Sequence, residues 1–234
     1  MKRRIKAIIS IIMIIAMTLS MSVGALAAIE LPDDKELSSQ LGISNFKLPY
    51  DDVDDDVWYY LPVAFVTSYD LIEPITSKTF IGSWNSTRAV LVHALWKLAG
   101  APKMSADYKV TFQDVKSHKY LDAIKWATSV GIIKGYSDLE FGPDDNITRE
   151  QTAVIIYRYI KWKGLDVTLP DGYMMVATDY DKISSWALEA TTWMSSIGLL
   201  RGKGAGVMDP LGMVTRAEVA TFVMRTYGLF VDIK

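Results

Sequence analysis

Residues 131–151 read Gly131-Ile132-Ile133-Lys134-Gly135-Tyr136-Ser137-Asp138-Leu139-Glu140-Phe141-Gly142-Pro143-Asp144-Asp145-Asn146-Ile147-Thr148-Arg149-Glu150-Gln151. Thr148 and Gln151 have the spacing at which a Thr oxygen accepts a backbone N–H while the Gln side chain accepts the N–H of the Thr, so a helix is predicted to open there. Its body, 153–160, is apolar nearly all round, which suits the middle of a bundle. Upstream, Leu121, Ile124 and Ala127 recur at helical spacing, as do Ala123, Trp126 and Val130. Gly131 then stands where a helix commonly ends in a left-handed residue. The unit is helix, loop, helix.

The same unit occurs three times. Thr-Arg recurs at 87–88, 148–149 and 215–216, at offsets of 61 and 67. Those offsets carry Phe65 onto Trp126 and Trp193, Leu71-Ile72 onto Ile132-Ile133 and Leu199-Leu200, and Lys97 onto Arg158 and Arg225. Asp52 matches Asp114 and, with a small length change, Asp179. The copies span 50–100, 112–164 and 177–228. The stretches near 101–111 and 165–176 read as linkers, as does 28–49. Thr215 with Glu218 repeats the capping box, whereas Thr87 is followed by Val90 and lacks the returning partner. An all-α fold is predicted, a pseudo-threefold bundle of the three apolar second helices with the first helices outside.

The Arg after each capping Thr stands at the positive end of a helix dipole, a position unfavourable to a cation by about 0.3–1 kcal/mol. Two readings of Arg88, Arg149 and Arg216 stand open. A guanidinium beside free helix N–H groups makes an anion site. Alternatively, each Arg pairs with an acidic residue of a neighbouring copy, such as Asp52, Asp114 or Asp179.

Composition narrows the chemistry. The chain has 234 residues, 50% of them hydrophobic, and no Cys, which excludes a disulfide framework and thiolate chemistry. Only His93 and His118 are available for imidazole chemistry, and a net charge of −2 argues against a general nucleic-acid field. No cofactor or metal is implied. Asp51, Asp52, Asp54, Asp55 and Asp56 lack EF-hand spacing and read as a solvated turn. Trp126 and Trp193 read as core, while Trp58 and Trp186 are evenly poised between packing and sugar stacking. At the N-terminus, Lys2, Arg3, Arg4 and Lys6 precede an apolar run and Ala25-Leu26-Ala27, the layout of a secretory signal peptide over 1–27. Its removal takes away four basic residues and moves the net charge to −6. No membrane association is expected afterwards; the alternative is an uncleaved apolar run that serves as a membrane anchor.

The ordered set Phe112-Gln113-Asp114-Val115, Gly131-Ile132-Ile133-Lys134-Gly135, Phe141-Gly142-Pro143 and Ile147-Thr148-Arg149-Glu150-Gln151 resembles the S-layer homology (SLH) motif. Gly198-Leu199-Leu200-Arg201-Gly202, Met208-Asp209-Pro210 and Val214-Thr215-Arg216-Ala217-Glu218 repeat it. The resemblance implies a non-catalytic module that binds secondary cell-wall polysaccharide linked to peptidoglycan, with ligand grooves between neighbouring motifs. It implies a polymer that often carries ketal-linked pyruvate, a carboxylate, and a place in the bacterial cell wall or surface layer. Expected ligand-binding residues are Arg149, Arg216, Arg88, Thr148, Thr215, Gln151, Glu218, Gly135, Gly202, Asp114 and Asp179.

Copy one departs from the pattern. Asp70 and Pro74 replace the two glycines, so a poorer groove is expected there and two good sites of three, with Arg88 the weakest of the arginines. Another surface protein is a further expected partner in an adaptor or surface-layer role. An enzyme acting on wall polysaccharide is the weakest reading, because the repeats account for most of residues 50–228.

Overall fold

The computed structural model describes residues 31–105 and 107–231. The expected signal peptide lies outside them. Seven α-helices and one short 3-10 turn are formed, with no strand among the described residues. In chain order they are α1 (Asp34–Gln40), α2 (Tyr60–Ser68), α3 (Arg88–Leu98), α4 (Leu121–Ser129), α5 (Arg149–Trp162), α6 (Leu188–Ser196) and α7 (Arg216–Gly228). The 3-10 turn covers Tyr180–Lys182. No helix among the described residues is long and apolar enough to cross a membrane.

The second helices begin as their sequences require. Thr148 and Thr215 make both halves of a capping box, with Gln151 and Glu218 respectively. Thr87 accepts from the Val90 N–H alone. Gly131 and Gly198 end α4 and α6 with φ of 74° and 71°, and Asp70 takes the same left-handed conformation, φ 55°, at the end of α2. The conformation is therefore kept where the glycine is not.

Each first helix packs on the second helix of a neighbouring copy. The pairs are α2 on α7, α4 on α3 and α6 on α5. Phe65 meets Tyr227 and Trp193 meets Tyr157 across two of these pairs, Trp126 meets Tyr159 and Trp162 of α5, and all three are fully buried. Burial of a side chain of this kind contributes about 1.5–3 kcal/mol.

At the centre, the residues just before the capping threonines close a circuit. The Ser86 N–H donates to the Val214 carbonyl at 2.8 Å, the Val214 N–H to Ile147 at 2.9 Å, and the Ile147 N–H to Ser86 at 3.0 Å. Each of the three is the counterpart of the other two in its own copy.

The segment 28–49, read as a linker, contains α1. Asp33 caps it by accepting the Glu36 N–H at 2.7 Å. Leu37 is completely buried against α7, where a side chain on Gly228 would collide with it. One apolar residue in a polar heptapeptide gives no periodic signal; the vacancy at Gly228 is what makes the helix worth docking.

Candidate functional site

The three arginines do the same thing in each copy. The Arg88 Nε and Nη2 donate to the carbonyls of Phe141 (3.0 Å) and Lys134 (3.2 Å). Those of Arg149 donate to Met208 (2.8 Å) and Arg201 (2.6 Å), and those of Arg216 to Phe80 (2.9 Å) and Glu73 (2.8 Å). All three are at least 94% buried, and burial lowers their pKa values below the ordinary range. Arg88 lies 4.6 Å over both Tyr136 and Phe141, and Arg216 4.6 Å over Phe80, so the charge rests on aromatic faces. Nη1 of Arg88 and of Arg216 has no protein hydrogen-bond acceptor among the described residues; Nη1 of Arg149 stands 4.0 Å from Glu218.

The alternative of pairing with Asp52, Asp114 or Asp179 does not hold. Asp52 accepts the N–H groups of Phe80 and Ile81 at 2.9 and 2.7 Å. Asp114 accepts those of Phe141 and Gly142, and Asp179 those of Met208 and Asp209. These carboxylates brace the loops whose carbonyls receive the arginines. The amides of Met208 and Asp209 hold the Asp179 carboxyl below the usual carboxylate range.

Because each Arg reaches into the next copy, the grooves form between copies. The first holds Arg88 with the loop of copy two (Lys134, Gly135, Tyr136), the α5 face of Gln151, Val154 and Arg158, and Trp186, around a cavity of about 550 Å³. The second holds Arg149 with Arg201, Gly202, Lys203, Glu218, Arg225 and Trp58 around about 130 Å³. These are the same positions one copy on. The third holds Arg216 with Glu73, Pro74, Ile75, Val90 and Lys119 around about 270 Å³. Here Lys119 replaces the tryptophan and lies 3.0 Å from Glu73.

This geometry reassigns the arginines. The groove without glycine belongs to Arg216, and the grooves with Gly135 and Gly202 belong to Arg88 and Arg149. The expectation that Arg88 serves the poorest groove is therefore corrected. It assumed that an Arg lines the loop of its own copy.

The glycines also act differently from expectation. A side chain at Gly135 would run into the Glu140 carbonyl and the Phe112 ring, and one at Gly202 into the Val207 carbonyl at 2.7 Å. The space is taken by the chain itself rather than kept for a ligand.

The grooves differ in charge. Arg88, Lys134 and Arg158 line the first with no carboxylate among its lining residues, and none of them is in an ion pair among the described residues. In the second, Glu218 pairs with Lys203, and Asp34 takes Arg225. Burial raises the Glu218 carboxyl, but Lys203 and the Thr215 N–H outweigh it and bring its pKa below the ordinary value. Trp186 and Trp58 are 55% and 63% exposed at the lips of these two grooves, while Trp126 and Trp193 are core. Sequence reasoning left out Arg158, Lys134 and Tyr136. Repeat alignment does register Arg158 with Arg225 and Lys97, which was the available signal.

Comparison with known proteins supports this frame. The S-layer homology domain model matches residues 111–153 and 178–220. The chain is 27% identical over 221 residues to an endoglucanase of Bacillus sp. (strain KSM-635), covering 94% of this chain and 22% of that enzyme. It is 30% identical over 145 residues to the cellulosome-anchoring protein of Acetivibrio thermocellus, covering 61% of this chain and 32% of that protein. It is 26% identical over 150 residues to the surface-layer 125 kDa protein of Lysinibacillus sphaericus, covering 62% and 12%. The chain thus spans less than a third of the length of each of these relatives.

Proposed function

We propose that the chain is a non-catalytic cell-wall-binding module, exported to the bacterial surface, that holds an anionic secondary polysaccharide through the grooves of Arg88 and Arg149. One observation carries the reading. The first groove gathers Arg88, Lys134 and Arg158 around an open cavity with an exposed tryptophan and no opposing carboxylate. Cations placed to meet a sugar carboxylate, with an aromatic face beside them for the ring, suit a charged saccharide.

In this reading Arg88 and Arg149 serve two purposes. Two of their nitrogens fix the neighbouring loop, and Nη1 faces the groove. Gln151 and Glu218 line the groove walls; Thr148, Thr215, Asp114 and Asp179 hold the helix starts and loops in place; Gly135 and Gly202 let the loops close. Arg216 is structural. Copy one acts as a third motif, completing a pseudo-threefold bundle. The matches to an enzyme, an anchoring protein and a surface-layer protein favour a module that different exported proteins carry, and the anchoring relative supports a role in holding another surface protein.

The test is co-sedimentation of the chain with purified wall sacculi, before and after chemical removal of the secondary polymer. Retention that disappears on stripping, and that falls in Trp186→Ala, is expected. Retention indifferent to both would overturn the reading.

A further inference from the structure

A cavity of about 600 Å³ lies between α1, the turn at 44–47 and the start of α2, and shares Trp58 with the second groove. Its volume falls within the range of about 300–1,000 Å³ typical of small-ligand sites. Trp58 lines both spaces, and its ring is set edge-on against Tyr59 at 5.3 Å and 85°. The wall is fixed as well: the Tyr60 hydroxyl donates to the Phe46 carbonyl at 3.0 Å, and buried Ile43 anchors the turn.

Ser44 and Asn45 are exposed and line this space with a hydroxyl and an amide, the Ser44 hydroxyl standing 3.5 Å from that of Ser38. Lys35, Lys47 and Asp55 line it, a net charge of +1 against +3 in the first groove. No buried guanidinium lines it among the described residues. An aromatic face accepts the C–H face of a pyranose, and hydroxyl and amide groups serve its rim. A carboxylate finds little here that groove one does not offer better.

We propose that this cavity is a second sugar subsite, taking a neutral sugar unit of a polymer chain that continues from groove two across Trp58. The proposal rests on groove two being part of the polymer site. It gives copy one a binding role through Trp58, beside the α1 helix that precedes it, although its own loop is degenerate.

The test labels the tryptophans of the chain with 5-fluorotryptophan and follows Trp58, assigned with Trp58→Phe, during titration with two neutral probes, cellotriose and chitotriose. We expect at least one to shift Trp58 at millimolar concentration, and Ser44→Ala/Asn45→Ala to weaken that response about tenfold with an unchanged melting temperature. No shift with either sugar overturns the subsite, as does a shift the double variant leaves intact. Trp186, watched with released polymer fragments, reports on the anchoring reading separately. A silent Trp186 beside a responsive Trp58 defeats that reading and leaves a neutral-sugar site.

Discussion

Arg225 grips Asp34 with two nitrogens, Nε and Nη2, each 2.7 Å from a carboxylate oxygen. Its counterpart Arg158 has no such partner among the described residues. The two grooves therefore differ both in their own residues, with Lys203 and Glu218 standing where Tyr136 and Gln151 do, and in what α1 brings to one of them. A carboxylate of the chain already engages two donors of Arg225.

Asp34→Asn should release Arg225 and strengthen anion binding in groove two. The pair is half-buried, so its loss should cost about 1 kcal/mol of stability and about 2–4 °C in Tm. Calorimetric titration with anionic polymer fragments beside a thermal melt checks both; weaker anion binding in the variant would contradict it.

Arg216→Ala and Arg158→Ala should separate structure from binding. Arg216 holds two carbonyls of another copy, and its removal should cost about 2–4 kcal/mol of stability with affinity per folded molecule unchanged. Arg158→Ala should leave Tm within about 2 °C and weaken polymer binding about tenfold, near 1.4 kcal/mol. Equal effects on both quantities in both variants would mean the division is wrong. Arg88→Ala and Arg149→Ala should lose on both counts.

His93 should make the fold acid-sensitive. It stacks on Tyr120 at 4.1 Å, and neither ring nitrogen has a hydrogen-bond partner among the described residues. Burial, helped by Lys97, lowers its pKa to about 4. The unfolded chain therefore binds the extra proton between about pH 6.5 and 4, and this contribution to stability is intact above 6.5 and falls as pH drops toward 4. A loss of about 2–3 kcal/mol over that range is expected from this group. His93→Val, which copies the residue at Val154, should flatten the slope by that amount in urea melts from pH 4 to 7.

Removing copy one should unfold the others. A fragment of residues 106–234 would leave α4 without α3 and α7 without α2. We expect a lower urea midpoint and lower cooperativity than in the full chain. An unchanged transition would show that copies two and three suffice.

What could be read in advance was local. The capping boxes rest on residues three apart, and the helix ends on a left-handed position that even Asp70 adopts. The destination of each arginine could not be read, because its acceptors are backbone carbonyls 46 to 143 positions away, and every residue has one. The same blindness hid which groove each Arg serves. The two readings, an anion site or an acidic partner, left out backbone carbonyls as the acceptors of Nε and Nη2. Helix α1 escaped because its reason for forming, Gly228, lies at the far end of the chain.

The circuit Ser86–Val214–Ile147 has a consequence for counting. In an open stack of repeats, the first and last units each keep one unmatched face, and another unit can always be added. Here each N–H offered at the hub is already accepted, and the round is complete at three. A fourth unit inserted by gene duplication would find no vacant seat. A chain pared down to two would carry one vacant seat, and the nearest match for it is a unit from another molecule. Three backbone hydrogen bonds thereby bear on how many copies the chain carries.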